Sequence, residues 1–238
     1  MTLPLRPLIV ALGLALAIGA QAQATPVAPD PFAALSLIAT PPTGPGEVMA
    51  VLYSGDGGWA AIDKGVAAAL DKAGVPTVGV DSLHYFWTRK SPEAAAADLA
   101  AMIDRFGARW GRRQVLLIGY SFGADALPII VAHLPPDVRS RVRLLALIGV
   151  SPKGDLQFHF GDWLNRPDAN AYEIAPVLAQ LKSAPIVCFY GEGEKDDPCP
   201  AFPAGEIRAV RLRGAHHFAG DYAGLGQAIL QAMNGLQP

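Results

Sequence analysis

The sequence predicts an α/β fold in which a mostly parallel sheet is covered by helices on both faces. Short aliphatic runs recur along the chain, such as VMAVLY at 48–53 and QVLLIG at 114–119. These runs are apolar at successive positions, which is typical of strands buried on both faces of a sheet. Ala-rich helical segments separate them, and strands that alternate with helices favour parallel pairing.

The predicted elements follow one another in a regular order. Six strands are clear, at 48–53, 76–80, 114–119, 142–150, 185–191 and 207–212. One or two further strands near the N-terminus are less clear, with a candidate at 35–39. Four long helices are predicted at 60–73, 92–106, 122–133 and 222–233. Ser91 is the expected N-cap of the second helix because Pro92 suits the first helical position.

One segment breaks the alternation of strands and helices. Residues 151–182 lie between two sheet strands and carry aromatic residues, including Phe158, Phe160, Trp163 and Tyr172. We interpret this segment as a small lid-like insertion that ends in a short helix. No other change of composition marks a domain boundary, so residues 25–238 are predicted to form a single domain.

The first 24 residues have the pattern of a secretory signal peptide. Arg6 precedes an uncharged apolar stretch at 8–20, and the small-x-small triplet AQA follows at 22–24. The apolar stretch is short for a membrane span, and no stop-transfer charges follow it. We expect cleavage and a periplasmic mature protein; the alternative is an uncleaved N-terminal anchor.

The charge of the sequence argues against one class of ligand, and its cysteines predict one covalent bond. The formal net charge is −2, with 19 basic and 21 acidic residues and no basic run, which argues against nucleic-acid binding. In an oxidising compartment the two cysteines, Cys188 and Cys199, are expected to form a disulfide worth roughly 3 kcal/mol. Two unpaired thiols are the alternative.

The segment LLIGYSFGADALP at 116–128 has the pattern of a nucleophile elbow. A serine between a strand and a helix requires a very tight turn, and glycine two positions away on each side avoids clashes with the adjoining elements. Gly119 and Gly123 stand at those positions around Ser121. The turn would project the hydroxyl beyond the sheet at a helix N-terminus, where a developing anion is favoured. The pattern therefore predicts an α/β-hydrolase fold.

A nucleophilic serine needs a base, and the base needs an orienting carboxylate. The α/β-hydrolase order of serine, acid and histidine is present. Asp196 is the predicted acid in the loop EGEKDDPCP, with Asp197 and Glu194 as alternatives. His216 is the predicted base in RGAHHF, with His217 as the alternative. No third ligand stands at metal-binding spacing near the histidines, so no metal and no other cofactor is expected.

Acyl transfer also needs donors for the oxyanion, and two loops at the same sheet edge are candidates for further contacts. The backbone amides of Phe122 and Asp56 are the predicted oxyanion hole, with Gly57 as a less favoured donor. The loop DSLHYFWTRK at 81–90 follows the next strand. Its Trp87 is a candidate pocket residue and its Arg89 a candidate phosphate ligand; alternatively the aromatics cover the sheet edge and the cations are solvated. Tyr120 is also predicted to contact substrate.

Four motifs together resemble the VirJ/AcvB family of periplasmic α/β-hydrolase-like virulence proteins. They are LYSGDGGW, VGVDSLHYFW, LLIGYSFGAD and RGAHHFAGDY, and the resemblance covers about residues 47–235. It implies a hydrolase fold with a Ser121-centred triad. It further implies hydrolysis of aminoacyl-phosphatidylglycerol, in which lysine or alanine is esterified to the lipid headgroup. Longer members carry an extra N-terminal domain, and none is expected in this sequence.

The resemblance implies a phospholipid-type ester at the membrane surface as substrate and secretion-system components as partners. Two other functions stay open at this stage. One is a general short-acyl esterase or thioesterase. The other is a VirJ-like non-catalytic binding or chaperone factor for type IV secretion. The complete serine, acid and histidine order favours an enzyme, because a pure binding role does not require all three.

Overall fold

The computed structural model describes residues 32, 35–158, 171–182, 184–203, 205 and 207–235. The predicted signal peptide, and Phe160 and Trp163 of the predicted insertion, lie outside these residues. Within the described part, no helix is both long enough and apolar enough to cross a bilayer.

Seven strands form one sheet, and two short strands form a separate pair. The strands are β1 (Leu37–Thr40), β2 (Val48–Tyr53), β3 (Thr77–Val80), β4 (Gln114–Tyr120), β5 (Val142–Ile148), β6 (Lys153–Gly154), β7 (Tyr172–Glu173), β8 (Ile186–Gly191) and β9 (Ile207–Leu212). The main sheet has the order β1-β3-β2-β4-β5-β8-β9. All of its pairs are parallel except β1 with β3. The predicted mostly parallel α/β architecture is confirmed, and the doubtful N-terminal strand is the antiparallel edge.

Seven α-helices connect these strands in the described residues. They are α1 (Ala61–Lys72), α2 (Ser82–Tyr85), α3 (Pro92–Trp110), α4 (Phe122–Ala132), α5 (Pro136–Arg139), α6 (Ile174–Leu178) and α7 (Tyr222–Asn234). The short helices α2 and α5 are absent from the sequence prediction, because a single turn leaves no periodic pattern.

The sheet is buried on both faces because neighbouring residues of each strand point to opposite sides. Leu116 and Ile118 pack into the layer that contains α1 and α7. Leu117 of the same strand packs into the layer that contains α3, α4 and α6. This two-sided burial explains why central strands such as β2 and β4 are apolar at successive positions rather than at every second one.

Helix α3 begins where its sequence predicts and ends later. The Ser91 hydroxyl accepts a hydrogen bond from the Ala94 amide at 3.1 Å, with Pro92 in the first turn. The helix continues past the predicted end at 106 to Trp110. It stops there because Gly111 adopts a left-handed conformation with φ 64°, which ends a helix at little steric cost to glycine.

The predicted insertion is anchored by regular structure at its two described ends. Strands β6 and β7 pair antiparallel, with Lys153 opposite Glu173 and Gly154 opposite Tyr172. Helix α6 follows β7 directly, which agrees with the predicted short helix. The insertion therefore leaves and re-enters the domain beside the carboxyl end of β5, where parallel α/β folds bind ligands.

Candidate active site

Ser121 occupies a strained turn between β4 and α4. Its backbone has φ 51° and ψ −119°, which is unfavourable for a residue with a side chain. A Cβ at Gly119 would overlap the backbone of Gly123, and a Cβ at Gly123 would overlap the carbonyl of Tyr53. Both glycines are therefore required by close backbone approach. The Ser121 amide donates to the Ile148 carbonyl at 2.8 Å, which holds the turn against β5.

The imidazole that contacts Ser121 belongs to His216, in the loop after β9. Its Nε2 lies 2.9 Å from the Ser121 Oγ. The ring lies over Gly149, where a Cβ would stand only 2.8 Å from the imidazole Cε1. The absence of a side chain at Gly149 therefore makes room for the ring beside the serine.

The carboxylate that contacts His216 is Glu194, and the prediction of Asp196 as this partner is corrected. Glu194 Oε1 lies 2.6 Å from His216 Nδ1, and Oε2 accepts from the Gly191 amide at 3.2 Å. The turn after β8 is tight, with the Glu194 amide donating to the Gly191 carbonyl at 3.0 Å. This turn directs Glu194 inward, whereas Asp196, two residues later, is exposed.

These contacts determine where the imidazole proton lies. A carboxylate accepts hydrogen bonds but does not donate them, so Nδ1 carries the proton toward Glu194. Nε2 is then free to accept from the Ser121 hydroxyl. This is the arrangement in which a histidine can remove a proton from a serine.

The two remaining acid and base alternatives have other partners. His217 Nδ1 lies 3.0 Å from the Tyr120 hydroxyl rather than at Ser121. Asp197 Oδ1 accepts from the Cys199 amide at 2.8 Å, and its Oδ2 is buried without a hydrogen-bond partner. Burial raises the pKa of the Asp197 carboxyl to about 6; the Cys199 amide opposes this rise, and nearby Glu194 adds to it.

Tyr120 was predicted to contact substrate, but the structure gives it a different position. Only 6% of the residue is exposed. Its hydroxyl also donates to the His216 carbonyl at 3.3 Å, and its ring centroid lies 5.3 Å from that of His216. Burial raises the pKa of the phenol above its ordinary value. Tyr120 thus packs against the loop that carries His216 and His217 and stabilises its position.

The predicted disulfide is confirmed between Cys188 in β8 and Cys199, with Cα atoms 5.7 Å apart. It closes the loop that carries Glu194 and Asp197. Among the described residues, Cys188, Asp197 and Cys199 are the only group with the proximity of metal ligands. Because both sulfurs are bonded to each other, the group does not have the thiolates that a metal would need.

The two predicted oxyanion donors lie on the elements expected to supply them. Phe122 is the first residue of α4, and amides of the first helical turn have no intrahelical acceptor. Asp56 lies in the turn closed by the Gly55–Gly58 bridge after β2. A Cβ at Gly55 would stand 3.5 Å from the Ser121 Cβ, so this turn adjoins the serine. Gly57 is exposed at its tip. The oxyanion roles stay predictions.

An acidic cleft of about 340 Å³ opens beside His216. One wall is formed by residues 149–152 after β5, and the other by residues 194–197 of the acid loop. Three of the four acid-loop residues are carboxylates, and the fourth is Lys195. A larger cavity of about 510 Å³ lies at Ile186, the amino end of β8, and so at the opposite end of this strand.

The structure pairs the predicted phosphate ligand Arg89 with a carboxylate. Its guanidinium makes two hydrogen bonds to Asp155, at 2.8 and 2.9 Å. This bidentate geometry uses the same fork that would bind a phosphate, so the phosphate role is not carried forward. Trp87 is 55% exposed and stacks on Phe158, with ring centroids 6.3 Å apart. Arg89 and Trp87 thus join the loop at 81–90 to the insertion.

Two residues of the site have no assigned role in the sequence prediction. Asp125 and Ser151 are bonded to each other beside the cleft, with the Ser151 amide donating to Asp125 Oδ1 at 2.7 Å. The only available signal was the position of Asp125, one helical turn after Ser121 on the same helix face. The sequence favours Glu194 no more than its acidic neighbours, because loop residues have no periodicity that distinguishes them.

We expect Glu194→Gln to lower kcat for a neutral ester by roughly 10²- to 10⁴-fold, because the amide cannot hold the Nδ1–H tautomer as the carboxylate does. Asp196→Asn is the matched control and should change kcat by less than about threefold. Steady-state hydrolysis of p-nitrophenyl butyrate measures both. A large loss in the Asp196 variant with a mild one in the Glu194 variant would restore the original prediction.

The Cys188→Ser/Cys199→Ser variant should lower both stability and activity. Loss of the cross-link is expected to reduce the free energy of unfolding by about 3 kcal/mol. It should also reduce kcat several-fold, because the loop that carries Glu194 loses one anchor. Urea unfolding and p-nitrophenyl butyrate turnover measure the two effects, and turnover equal to wild type would show that the disulfide does not support the site.

Comparison with known proteins gives one family and a set of structural relatives. The family model described as bacterial virulence protein VirJ matches residues 47–236. A search of curated proteins gives no significant match.

The solved structures agree on the fold. Est1E from Butyrivibrio proteoclasticus superposes with a TM-score of 0.59 at 14% identity, covering 84% of this chain and 92% of that chain. Proline iminopeptidase from Mycobacterium smegmatis superposes with a TM-score of 0.57 at 13% identity, covering 84% of this chain and 96% of that chain. Carboxylesterase CesB (YbfK) from Bacillus subtilis superposes with a TM-score of 0.52 at 15% identity, covering 84% of this chain and 87% of that chain. These relatives are α/β-hydrolases, and at such identities the likeness shows the fold alone.

Proposed function

The chain belongs to the VirJ family of bacterial virulence proteins, and we propose that it is a periplasmic serine esterase that hydrolyses aminoacyl-phosphatidylglycerol. The observation that carries the enzymatic part is the continuous contact from Ser121 through His216 to Glu194. A binding protein on this scaffold would not need a base within hydrogen-bond distance of the serine.

The chemistry follows from these contacts. His216 Nε2 accepts the hydroxyl proton as Ser121 Oγ attacks the ester carbonyl, and Glu194 stabilises the resulting imidazolium. The imidazolium then protonates the leaving glycerol oxygen. Water, deprotonated in turn by His216, cleaves the acyl-enzyme, releases the amino acid and restores Ser121. The amides of Phe122 and Asp56 would bear the negative charge of each tetrahedral intermediate.

The charge of the cleft supports an acyl group that carries an ammonium. The walls beside His216 present Asp196 and Asp197 in addition to Glu194. A cationic aminoacyl group would be attracted there, whereas a fatty acyl chain would gain little. An aminoacyl ester also has an electron-poor carbonyl, which suits attack by a serine.

A short-acyl esterase is the second candidate function, and the size of the cleft favours it. A volume of about 340 Å³ lies at the low end for small-molecule sites and suits a short acyl group. Because Arg89 is paired with Asp155, its predicted contact with a phosphodiester is not available.

Periplasmic location is part of the proposal. The predicted signal peptide at 1–24 and the Cys188–Cys199 disulfide both support it, because disulfides persist in oxidising compartments. This location also suits the proposed substrate, because the lipid headgroup lies at the membrane surface and is accessible from the periplasm.

The test is a comparison of substrates on the purified mature chain. Liposomes that contain lysyl- or alanyl-phosphatidylglycerol are incubated with the protein, and free amino acid is measured against liposomes of unmodified phosphatidylglycerol. Release of lysine or alanine is the expected result. Turnover of p-nitrophenyl butyrate without amino-acid release would indicate the short-acyl esterase. No turnover of either ester, together with no labelling by a fluorophosphonate, would favour a binding factor for secretion.

A further inference from the structure

Both described ends of the insertion are bonded to one residue of the nucleophile helix, Asp125. The Asp125 carboxylate accepts from the amide of Ser151 at 2.7 Å, just before β6. The Asp125 carbonyl accepts from the hydroxyl of Tyr172 in β7. Asp125 lies one turn after Ser121, and its own amide donates to the Ser121 carbonyl at 3.0 Å. One residue thus connects the nucleophile turn to both ends of the insertion.

The two ends of the insertion also pack closely against Asp125 and against each other. A Cβ at Gly154 would lie too close to the Asp125 carbonyl and 2.7 Å from the Tyr172 hydroxyl oxygen. The Ile174 amide donates to the Pro152 carbonyl at 3.0 Å, which continues the β6–β7 pairing. The two ends of the insertion and the start of α4 are therefore in direct contact with one another.

The residue that Asp125 holds belongs to the wall of the cleft. Ser151 lines the cleft, two positions after Gly149, against which the His216 ring packs. A displacement of Ser151 would therefore change the shape of the cleft wall.

We propose that Asp125 is a positioning residue that fixes the cleft wall at residues 149–152 relative to Ser121 and so determines how the acyl group is bound. The kinetic consequences rest on the proposed hydrolase function, whereas the structural coupling does not. Asp125 itself takes no part in bond making, because its carboxylate is engaged by Ser151.

The electrostatics of the carboxyl indicate which substitution should preserve its role. Desolvation raises the pKa of the Asp125 carboxyl to about 8, and the acidic neighbours Asp56 and Asp197 add to this rise while the Ser151 amide opposes it. Tyr172 is the other titratable group in contact, and burial raises the pKa of its phenol as well. Burial favours the neutral form of this carboxyl, so asparagine matches its shape and acceptor oxygen without introducing a charge.

The kinetic test compares three variants on two reactions at pH 7. Asp125→Ala should raise KM for the preferred aminoacyl or short-acyl ester about tenfold. It should change the rate of labelling by a small fluorophosphonate less than threefold, because the serine and its base are still present. Asp125→Asn should restore KM to within about twofold of wild type. Asp137→Ala, an exposed aspartate on α5, is the control for loss of an acidic side chain. If Asp125→Ala slowed labelling by the same factor by which it raised KM, or changed neither quantity, the proposal would be overturned.

A second measurement does not depend on any activity. Hydrogen exchange of the Ser151 and Ile174 amides should be at least tenfold faster in Asp125→Ala and in Tyr172→Phe than in wild type, and close to wild type in Asp125→Asn. Unchanged exchange in the folded alanine variant would show that Asp125 does not hold the wall. Faster exchange without any turnover in wild type would keep the coupling and reject the hydrolase function.

Discussion

Replacing Ser121 by alanine should abolish labelling by a fluorophosphonate probe and lower ester turnover by roughly 10³- to 10⁶-fold. The probe forms a phosphorus–oxygen bond with the serine Oγ and releases fluoride, so a chain without this oxygen cannot be labelled. Turnover falls because the acyl-enzyme cannot form. The remaining turnover comes from direct attack by water, which any oxyanion donors and the cleft can still accelerate. Together with loss of the base, this is the largest loss expected from a single substitution in this protein.

The control for Ser121→Ala is Ser140→Ala at the end of α5, an exposed serine whose hydroxyl donates to the Asp137 carbonyl at 2.7 Å. This variant should label and turn over like wild type. Gel fluorescence of the probe and p-nitrophenyl butyrate kinetics provide the two readouts, with circular dichroism to verify folding. Persistent labelling of a folded Ser121→Ala chain would place the nucleophile elsewhere and remove the basis of the proposed function.

The second large effect is expected at the adjacent histidines, which the structure separates by role. His216→Ala removes the base at 2.9 Å from the serine oxygen, so kcat should fall by roughly 10³- to 10⁶-fold, as for the nucleophile. His217→Ala removes the hydrogen bond with the Tyr120 hydroxyl and the ring contacts with Tyr120 and His216, but leaves the base at Ser121 in place. A neutral hydrogen bond contributes about 1 kcal/mol, so this variant should lose less than about tenfold in kcat.

The matched pair makes the test independent of general damage to the loop, because each substitution truncates a histidine and the two positions are adjacent. Steady-state kinetics on a simple ester, with urea unfolding to compare stabilities, measures the two variants side by side. A severe loss in His217→Ala together with a mild one in His216→Ala would mean that the loop rearranges in solution and that the roles are exchanged.

The contacts of Glu194 explain why its role was harder to infer than that of the serine. The elbow is a local structure, since Gly119 and Gly123 are required by contacts within a few residues and with the adjoining strand. The carboxylate is chosen by the path of the whole loop after β8. That path is held by the disulfide and by the hydrogen bond from the Gly193 amide to the Gly214 carbonyl at 2.8 Å. The hydrogen bond joins the loop to a separate segment after β9, which no local pattern reveals.

The same distinction applies to the loop at 81–90. Its aromatic and cationic residues are prominent in the sequence, which made Arg89 a plausible phosphate ligand. In the folded chain the guanidinium is bound by Asp155, 66 positions away. Only the folding of the start of the insertion against the loop at 81–90 brings these two residues together, and composition does not predict such pairing.

By itself the sequence determined the parallel sheet and its helices, the strained serine turn, the disulfide and the order of serine, acid and histidine. These depend on local signals: apolar runs, caps, and glycines beside a serine. Only the tertiary structure decided that Glu194 rather than Asp196 meets His216, that His217 bonds to Tyr120, and that Asp125 holds both ends of the insertion. Each of those choices depends on the direction of a side chain from a loop or helix, and such directions are determined by contacts between segments distant in the chain.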